Sequence, residues 1–179
     1  MSYVFDIYRG HQKPVRNFID YAVFVSFFPL LVAGPIERAN HLLPQIQKIR
    51  NFNFSQAKDG CLLILWGVFK KVVIADSLAD TVELIFDDYT RYNGFALLMG
   101  ALAFSFQIYG DFSGYSDIAL GTAKLFGCEL LSNFRFPYFS RDIAEFWRRW
   151  HMSLSTWLRD YLYISLGGSR KGKFRTYIN

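Results

Sequence analysis

Residues 94–109, GFALLMGALAFSFQIY, run without a single charged side chain. That length approaches the roughly 20 apolar residues needed to cross a bilayer, so the segment has to be kept out of water. Composition extends the constraint to the whole chain. Hydrophobic residues make up 52% and aromatic residues 19% of the 179 positions, above the usage of an ordinary soluble domain. Aromatic rings also concentrate where lipid meets water. Charged residues still account for 20%, so water-facing or cavity-lining elements alternate with lipid-facing ones. The expected class is all-α: a multi-pass integral membrane protein with re-entrant and amphipathic helices.

The loops refine this reading. FIDYAVFVSFFPLLVAGPI, 18–36, is of nearly spanning length but is interrupted by Asp20, Pro29, Gly34 and Pro35, which work against a straight helix. Arg9, Lys13 and Arg16 lie before it, and Arg38, Lys48, Arg50 and Lys58 follow it. Both flanks are therefore cytoplasmic by the positive-inside rule, which makes the segment a re-entrant hairpin. Broken backbone at membrane depth needs protein or a watery cavity to satisfy it, so the hairpin is expected to border a cavity. GCLLILWGVFKKVVIA, 60–75, carries Lys70 and Lys71 within an apolar helix. Either these lysines snorkel or face other helices, or they line a pathway. Residues 76–93 hold Asp76, Asp80, Glu83, Asp87 and Asp88 against Arg91, and read as an external acidic loop. Glycines 110, 114, 121 and 127 follow the charge-free run and suit close helix contacts. NFRFPY, 133–138, breaks helical periodicity at Pro137. The polybasic loop GGSRKGKFR, 167–175, is expected at the cytoplasmic surface.

EFWRRWHMSLSTWLRDY, 145–161, carries the most chemistry. At 100° per residue, Ile143, Phe146, Trp150, His151, Leu154, Trp157, Leu158, Tyr161 and Leu162 share one arc about 160° wide. Glu145, Arg148, Arg149, Thr156, Arg159 and Asp160 occupy the other side. The spacing predicts one amphipathic helix at a membrane surface, with Glu145 and Arg149 paired at i,i+4. A nucleic-acid surface would need aromatic and basic side chains on the same accessible face. Here they separate, which argues against that reading of the net charge of +5. His151 falls on the apolar stripe. It is either a neutral imidazole satisfied by a neighbouring hydroxyl or carbonyl, or a group facing a cavity, where its near-neutral pKa suits taking a proton from a substrate hydroxyl.

Other titratable residues have plainer readings. His11 and His41 lie in basic loops and are expected in solvent. Asp111 is read as a helix N-cap; Asp117, six residues on, falls on a different helical face, so no shared carboxylate metal site is expected. Cys61 and Cys128 lack any metal-ligand or redox spacing and read as small buried apolar residues. Phosphate-loop, zincin and serine-hydrolase motifs are absent from the sequence.

SYVFDIYRG, FPLLVAGPIER, DFSGYSDIALG and NFRFPYFSRDIAEFWRRWHMSLSTWLRDYLYISLGG, in that order, resemble the membrane-bound O-acyltransferases (MBOAT), in their bacterial alginate O-acetylation branch. The resemblance covers essentially the whole chain. It implies a ring of transmembrane helices around a funnel and transfer of an acyl group, acetyl for this branch, onto hydroxyls of an exported polysaccharide such as alginate. The implied co-substrate is an acyl-CoA or acyl-carrier thioester on the cytoplasmic side, with no tightly bound cofactor and no metal. Implied partners are the lipid bilayer, an acyl carrier protein and extracytoplasmic polysaccharide-modifying proteins, and the implied location is the bacterial inner membrane. His151 matches the first of two family histidines, near the funnel's narrow point, and is the catalytic candidate within this chain, in support of the second, which is the family's principal base. The second, in a tryptophan-histidine-glycine segment, is expected beyond Asn179, so residues 1–179 read as a partial MBOAT domain lacking its N-terminal helices. D-alanyl transfer to a cell-wall polymer and a non-catalytic export scaffold that recruits partners through Arg170, Lys171, Lys173 and Arg175 are the competing readings.

Overall fold

The computed structural model describes residues 2–172, 174 and 176. Lys173 and Arg175 of the polybasic loop lie outside them. The helices in chain order are α1 (Ser2–Tyr8), α2 (Phe18–Val25), α3 (Ala39–Gln47), α4 (Phe54–Val68), α5 (Ser77–Asp87), α6 (Gly94–Leu125), α7 (Ile143–Arg149) and α8 (Met152–Trp157). Two π-helical stretches, Phe69–Asp76 and Leu158–Tyr163, continue α4 and α8, and short 3-10 turns complete the chain. The fold is all-α, with no strand among the described residues. The described residues divide into two compact units: those within 2–31, 35–49 and from 128 onward form one, and 32–34 with 50–127 form the other.

Helix starts follow from side-chain capping. Asn17, Asn53, Asn93 and Asp142 each accept a hydrogen bond from a backbone N–H of the first turn, at Ile19, Gln56, Ala96 and Glu145. Each cap contributes about 1 kcal/mol by satisfying an otherwise orphaned donor.

The second unit is built on α4 and α6. Helix α6 has 32 residues, about 48 Å at 1.5 Å per residue. Among the described residues it is the one helix long and apolar enough to cross a membrane. The charge-free run and the glycine-rich stretch after it are thus one helix, and Asp111 lies in its interior rather than capping it. Helices α4 and α6 run antiparallel and touch backbone to backbone. A Cβ on Gly60 would lie 2.8 Å from the carbonyl oxygen of Gly121, and one on Gly67 would lie 2.5 Å from that of Gly114. Glycines seven apart on one helix therefore face glycines seven apart on the other, as small residues do where apolar helices pack without a hydrophobic drive.

Lys70 and Lys71 meet this same helix. Lys70, buried, pairs with Asp117 at 2.7 Å, and Lys71 pairs with Asp111 at 2.8 Å and Asp76 at 2.7 Å. The lysines face a neighbouring helix, and the two carboxylates on different faces of α6 each take a different lysine. The acidic segment after them is mostly helix α5 rather than a loop. Its acidic residues occupy the exposed side of an amphipathic helix, whose turn pattern the clustered charges obscure. Cys61, expected to be buried, is exposed on α4, whereas Cys128 is buried.

In the first unit the apolar segment 18–36 is broken as its prolines require. Helix α2 ends at Val25, and Phe28–Leu30 forms a 3-10 turn with Pro29 at its start. The predicted helix over 143–162 is also interrupted. Helix α7 stops at Arg149, Trp150 is extended, and His151 adopts a left-handed conformation, φ 44° and ψ 53°, before α8 begins. The stripe drawn at 100° per residue therefore does not continue through His151.

Candidate functional site

His151 sits at the break between α7 and α8, and long-range hydrogen bonds hold the break open. The residues opposite it come from the irregular stretch around Asn133. Arg135 N–H donates to the carbonyl of Arg149 at 3.0 Å, and Met152 N–H donates to the carbonyl of Asn133 at 2.9 Å. Phe136, in the same stretch, is the other described non-glycine residue with positive φ, at 48°. A left-handed residue other than glycine costs about 1–2 kcal/mol and persists only where its surroundings over-determine it. Aromatic packing adds to that restraint. Trp150 stacks on Phe146 with ring centroids 5.5 Å apart and meets the edge of Phe134 at 5.1 Å.

The imidazole is half-buried, and burial pushes its pKa below the ordinary 6.5, so it is neutral near pH 7. Its Nδ1 lies 3.3 Å from Oδ1 of Asn133. That oxygen also accepts the Ser153 hydroxyl at 2.6 Å, and Ser153 Oγ in turn accepts the backbone N–H of Ile36 at 2.9 Å. Both Asn133 and Ser153 are buried. A neutral imidazole in such a setting can take a proton from a hydroxyl whose oxygen is to attack a carbonyl.

Ile36, Glu37 and Arg38, consecutive in GPIER, each reach a different segment. Ile36 bonds Ser153; buried Glu37 accepts from Leu131 N–H and from His41 Nδ1 at 2.8 Å; Arg38 pairs with Asp160 at 3.0 Å. His41 is thus engaged with a carboxylate rather than simply solvated. Arg38 also lies over the Tyr161 ring, 4.5 Å from its centroid, while the Tyr161 hydroxyl donates to buried Asp6 at 2.7 Å. Asp160 is held below the usual carboxylate range, first by the hydrogen bond from Arg159 and further by Arg38.

The expected Glu145–Arg149 pair is present at 2.6 Å. The Arg141 backbone N–H and guanidinium, with Arg149, lower Glu145 to about 2, so it stays ionised. Asn133, Ser153 and Glu37 escaped sequence reasoning. Their only visible signal was position: Asn133 opens the stretch where periodicity fails, and Glu37 is a lone acid after a Gly-Pro turn. No group of three or more His, Cys, Asp or Glu among the described residues is placed to hold a metal ion. A groove of about 480 Å³ opens beside Lys13, Arg16 and Asp20, and His151 does not line it.

The MBOAT family, membrane-bound O-acyltransferases, matches residues 10–179. The chain belongs to this family. Within it the similarity is to the alginate O-acetylase branch. A probable alginate O-acetylase AlgI of Pseudomonas putida is 50% identical over 179 residues, all of this chain and 36% of the relative. A peptidoglycan O-acetyltransferase of Helicobacter pylori is 44% identical over 167 residues, 92% of this chain and 32% of the relative. A teichoic acid D-alanyltransferase of Bacillus subtilis is 30% identical over 155 residues, 86% of this chain and 38% of the relative. The chain thus spans about a third of the length of the curated relatives it matches.

Proposed function

We propose that the full-length protein containing this chain is a multi-pass O-acetyltransferase of the bacterial inner membrane that moves acetyl groups towards hydroxyls of an exported polysaccharide such as alginate. The observation that carries this reading is identity of 49–50% over the whole chain to five proteins each described as a probable alginate O-acetylase. Residues 1–179 supply part of the MBOAT domain, and segment 18–36 enters the membrane and returns to the same side. The donor is an acyl thioester, acyl-CoA or acyl-carrier-bound, reaching the site from the cytoplasm, and extracytoplasmic partners complete the modification. His151 is the catalytic residue offered by this chain. An acceptor hydroxyl loses its proton to an imidazole as its oxygen attacks the thioester carbonyl; the C–S bond then breaks and the thiolate regains a proton. The neutrality of His151 and its place on a restrained, half-buried break support a proton-accepting role.

Labelled acetyl transfer by membranes carrying the full-length protein tests this reading. His151→Ala at matched protein level is expected to lower transfer by about 10²–10⁴-fold, the contribution of a positioned acid–base group. Unchanged transfer overturns the assignment. D-alanyl transfer is the second reading, favoured by similarity to teichoic acid D-alanyltransferases at 30–32% identity. Supplying a carrier-loaded D-alanine in place of the acetyl donor separates the two.

A further inference from the structure

We infer that Asn133 is the positioning residue of His151, holding the imidazole in the tautomer protonated at Nδ1 so that Nε2 is its basic nitrogen. The inference rests on the reading of His151 as a group that takes a proton during transfer.

Three observations converge on it. Asn133 is 1% exposed yet lies outside any helix, where a buried amide must find its partners through specific long-range contacts. It directs its main chain and its side chain at the same three residues: its carbonyl accepts from Met152 N–H, and its Oδ1 faces both His151 Nδ1 and Ser153 Oγ. Residue 133 thus grips 151, 152 and 153 together, across the break that carries the left-handed backbone.

Ser153 Oγ accepts from Ile36 N–H, and its own proton goes to Asn133 at 2.6 Å, which turns the amide oxygen towards Ser153. The atom that His151 Nδ1 faces is that same oxygen, an acceptor with no proton to give. An imidazole hydrogen-bonds to it only as Nδ1–H; the other tautomer would set a lone pair against a lone pair. The second ring nitrogen is then fixed as the acceptor, because the partner of one imidazole nitrogen sets the protonation of the other. At 3.3 Å the contact lies at the long end of the hydrogen-bond range. Glu37 supports the arrangement from behind: it accepts from Leu131 N–H, two residues before Asn133, and follows directly on Ile36.

A purely structural asparagine would pin the loop and leave the ring indifferent to tautomer, and the two roles differ in what they move. The test uses the full-length protein in nanodiscs with ¹⁵N-labelled histidine, read against a His151→Gln sample to assign the ring. In the wild type at pH 8, Nε2 is expected to give the signal of an unprotonated nitrogen and Nδ1 that of an N–H. In Asn133→Ala the signals should shift towards a mixture of tautomers, and kcat should fall roughly 10- to 100-fold, the size of effect seen when groups that orient a functional imidazole are removed, with KM little changed. Asn133→Asp keeps the acceptor oxygen but adds charge. It should preserve the Nδ1–H tautomer, restore much of kcat at high pH and move the acid limb of the rate profile upward, because a carboxylate favours the imidazolium. A wild-type ring protonated at Nε2 overturns the inference, and so does an Asn133→Ala ring unchanged in a folded protein. If Asn133→Ala fails to insert, the wild-type spectrum and the acid limb of Asn133→Asp still decide. Loss of the catalytic reading is separately visible, since the tautomer is measured without turnover and His151→Ala reports on transfer alone.

Discussion

His151 combines two demands that are usually met by different residues. Its backbone occupies the left-handed region, where glycine is at ease, and its side chain supplies the imidazole. Substitutions can separate the two. His151→Ala keeps the backbone strain and discards the ring, whereas His151→Gly discards both. In detergent-solubilised protein, His151→Gly is expected to unfold at a higher temperature than His151→Ala, by an amount equivalent to about 1 kcal/mol, although neither should transfer acetyl. Equal stability of the two would show that the left-handed conformation is not kept. Nothing in the local sequence announces this backbone. Trp150, His151 and Met152 are compatible with a helix, and the apolar stripe runs through them without a proline or glycine. The break is bridged by hydrogen bonds from the stretch around Asn133, eighteen residues earlier, and a pattern read at helical spacing contains no term for a partner so far away.

At the scale of elements, legibility depended on whether the deciding contacts were local. The charge-free run 94–109 gave a helix because apolar continuity is itself the cause of burial in lipid. The prolines of 18–36 broke their segment as expected, because they act on their own backbone. Asp111 was misread because a carboxylate near the end of an apolar run looks like a boundary. It is tolerated mid-helix by Lys71, which comes from the π-helical stretch Phe69–Asp76. The pair Lys70–Asp117 provides a direct test of this compensation. Lys70→Met is expected to destabilise the protein by about 3 kcal/mol, because it strands the Asp117 carboxylate beside a packed helix. Lys70→Met combined with Asp117→Leu should recover most of that loss. If the double variant is no more stable than the single one, the lysine contributes through something other than its partner.

At the scale of the whole molecule, the first unit is a web of charged and polar groups, and its response to acid follows from them. His151 has a folded pKa below 6.5, so its stabilising contribution is complete above pH 6.5 and is lost as pH falls through the folded value. Glu145, lowered from 4.5 to about 2, contributes fully above pH 4.5 and loses its effect as pH falls towards 2. Asp160, also lowered, behaves in the same sense. Thermal stability in detergent should therefore be flat above pH 6.5 and decline in two stages on acidification, with the first stage absent in His151→Gln. A single decline confined below pH 4.5 in the wild type would remove His151 from the account. These groups were each visible in the sequence, but only Glu145 and Arg149 were paired from it, since theirs is a helical spacing, whereas His151 meets Asn133 across 18 positions and Asp160 meets Arg38 across 122.

That separation also orders the making of the protein. Arg9 donates to the carbonyl of Asp160 and to Ser165 Oγ, and Asp6 accepts from Tyr161. At 5–20 residues per second, roughly 10–30 s of synthesis pass between the appearance of these partners, and the antiparallel pair α4 and α6 is finished in the interval. The Asp6–Tyr161 contact of α1 is therefore among the last in the chain to close.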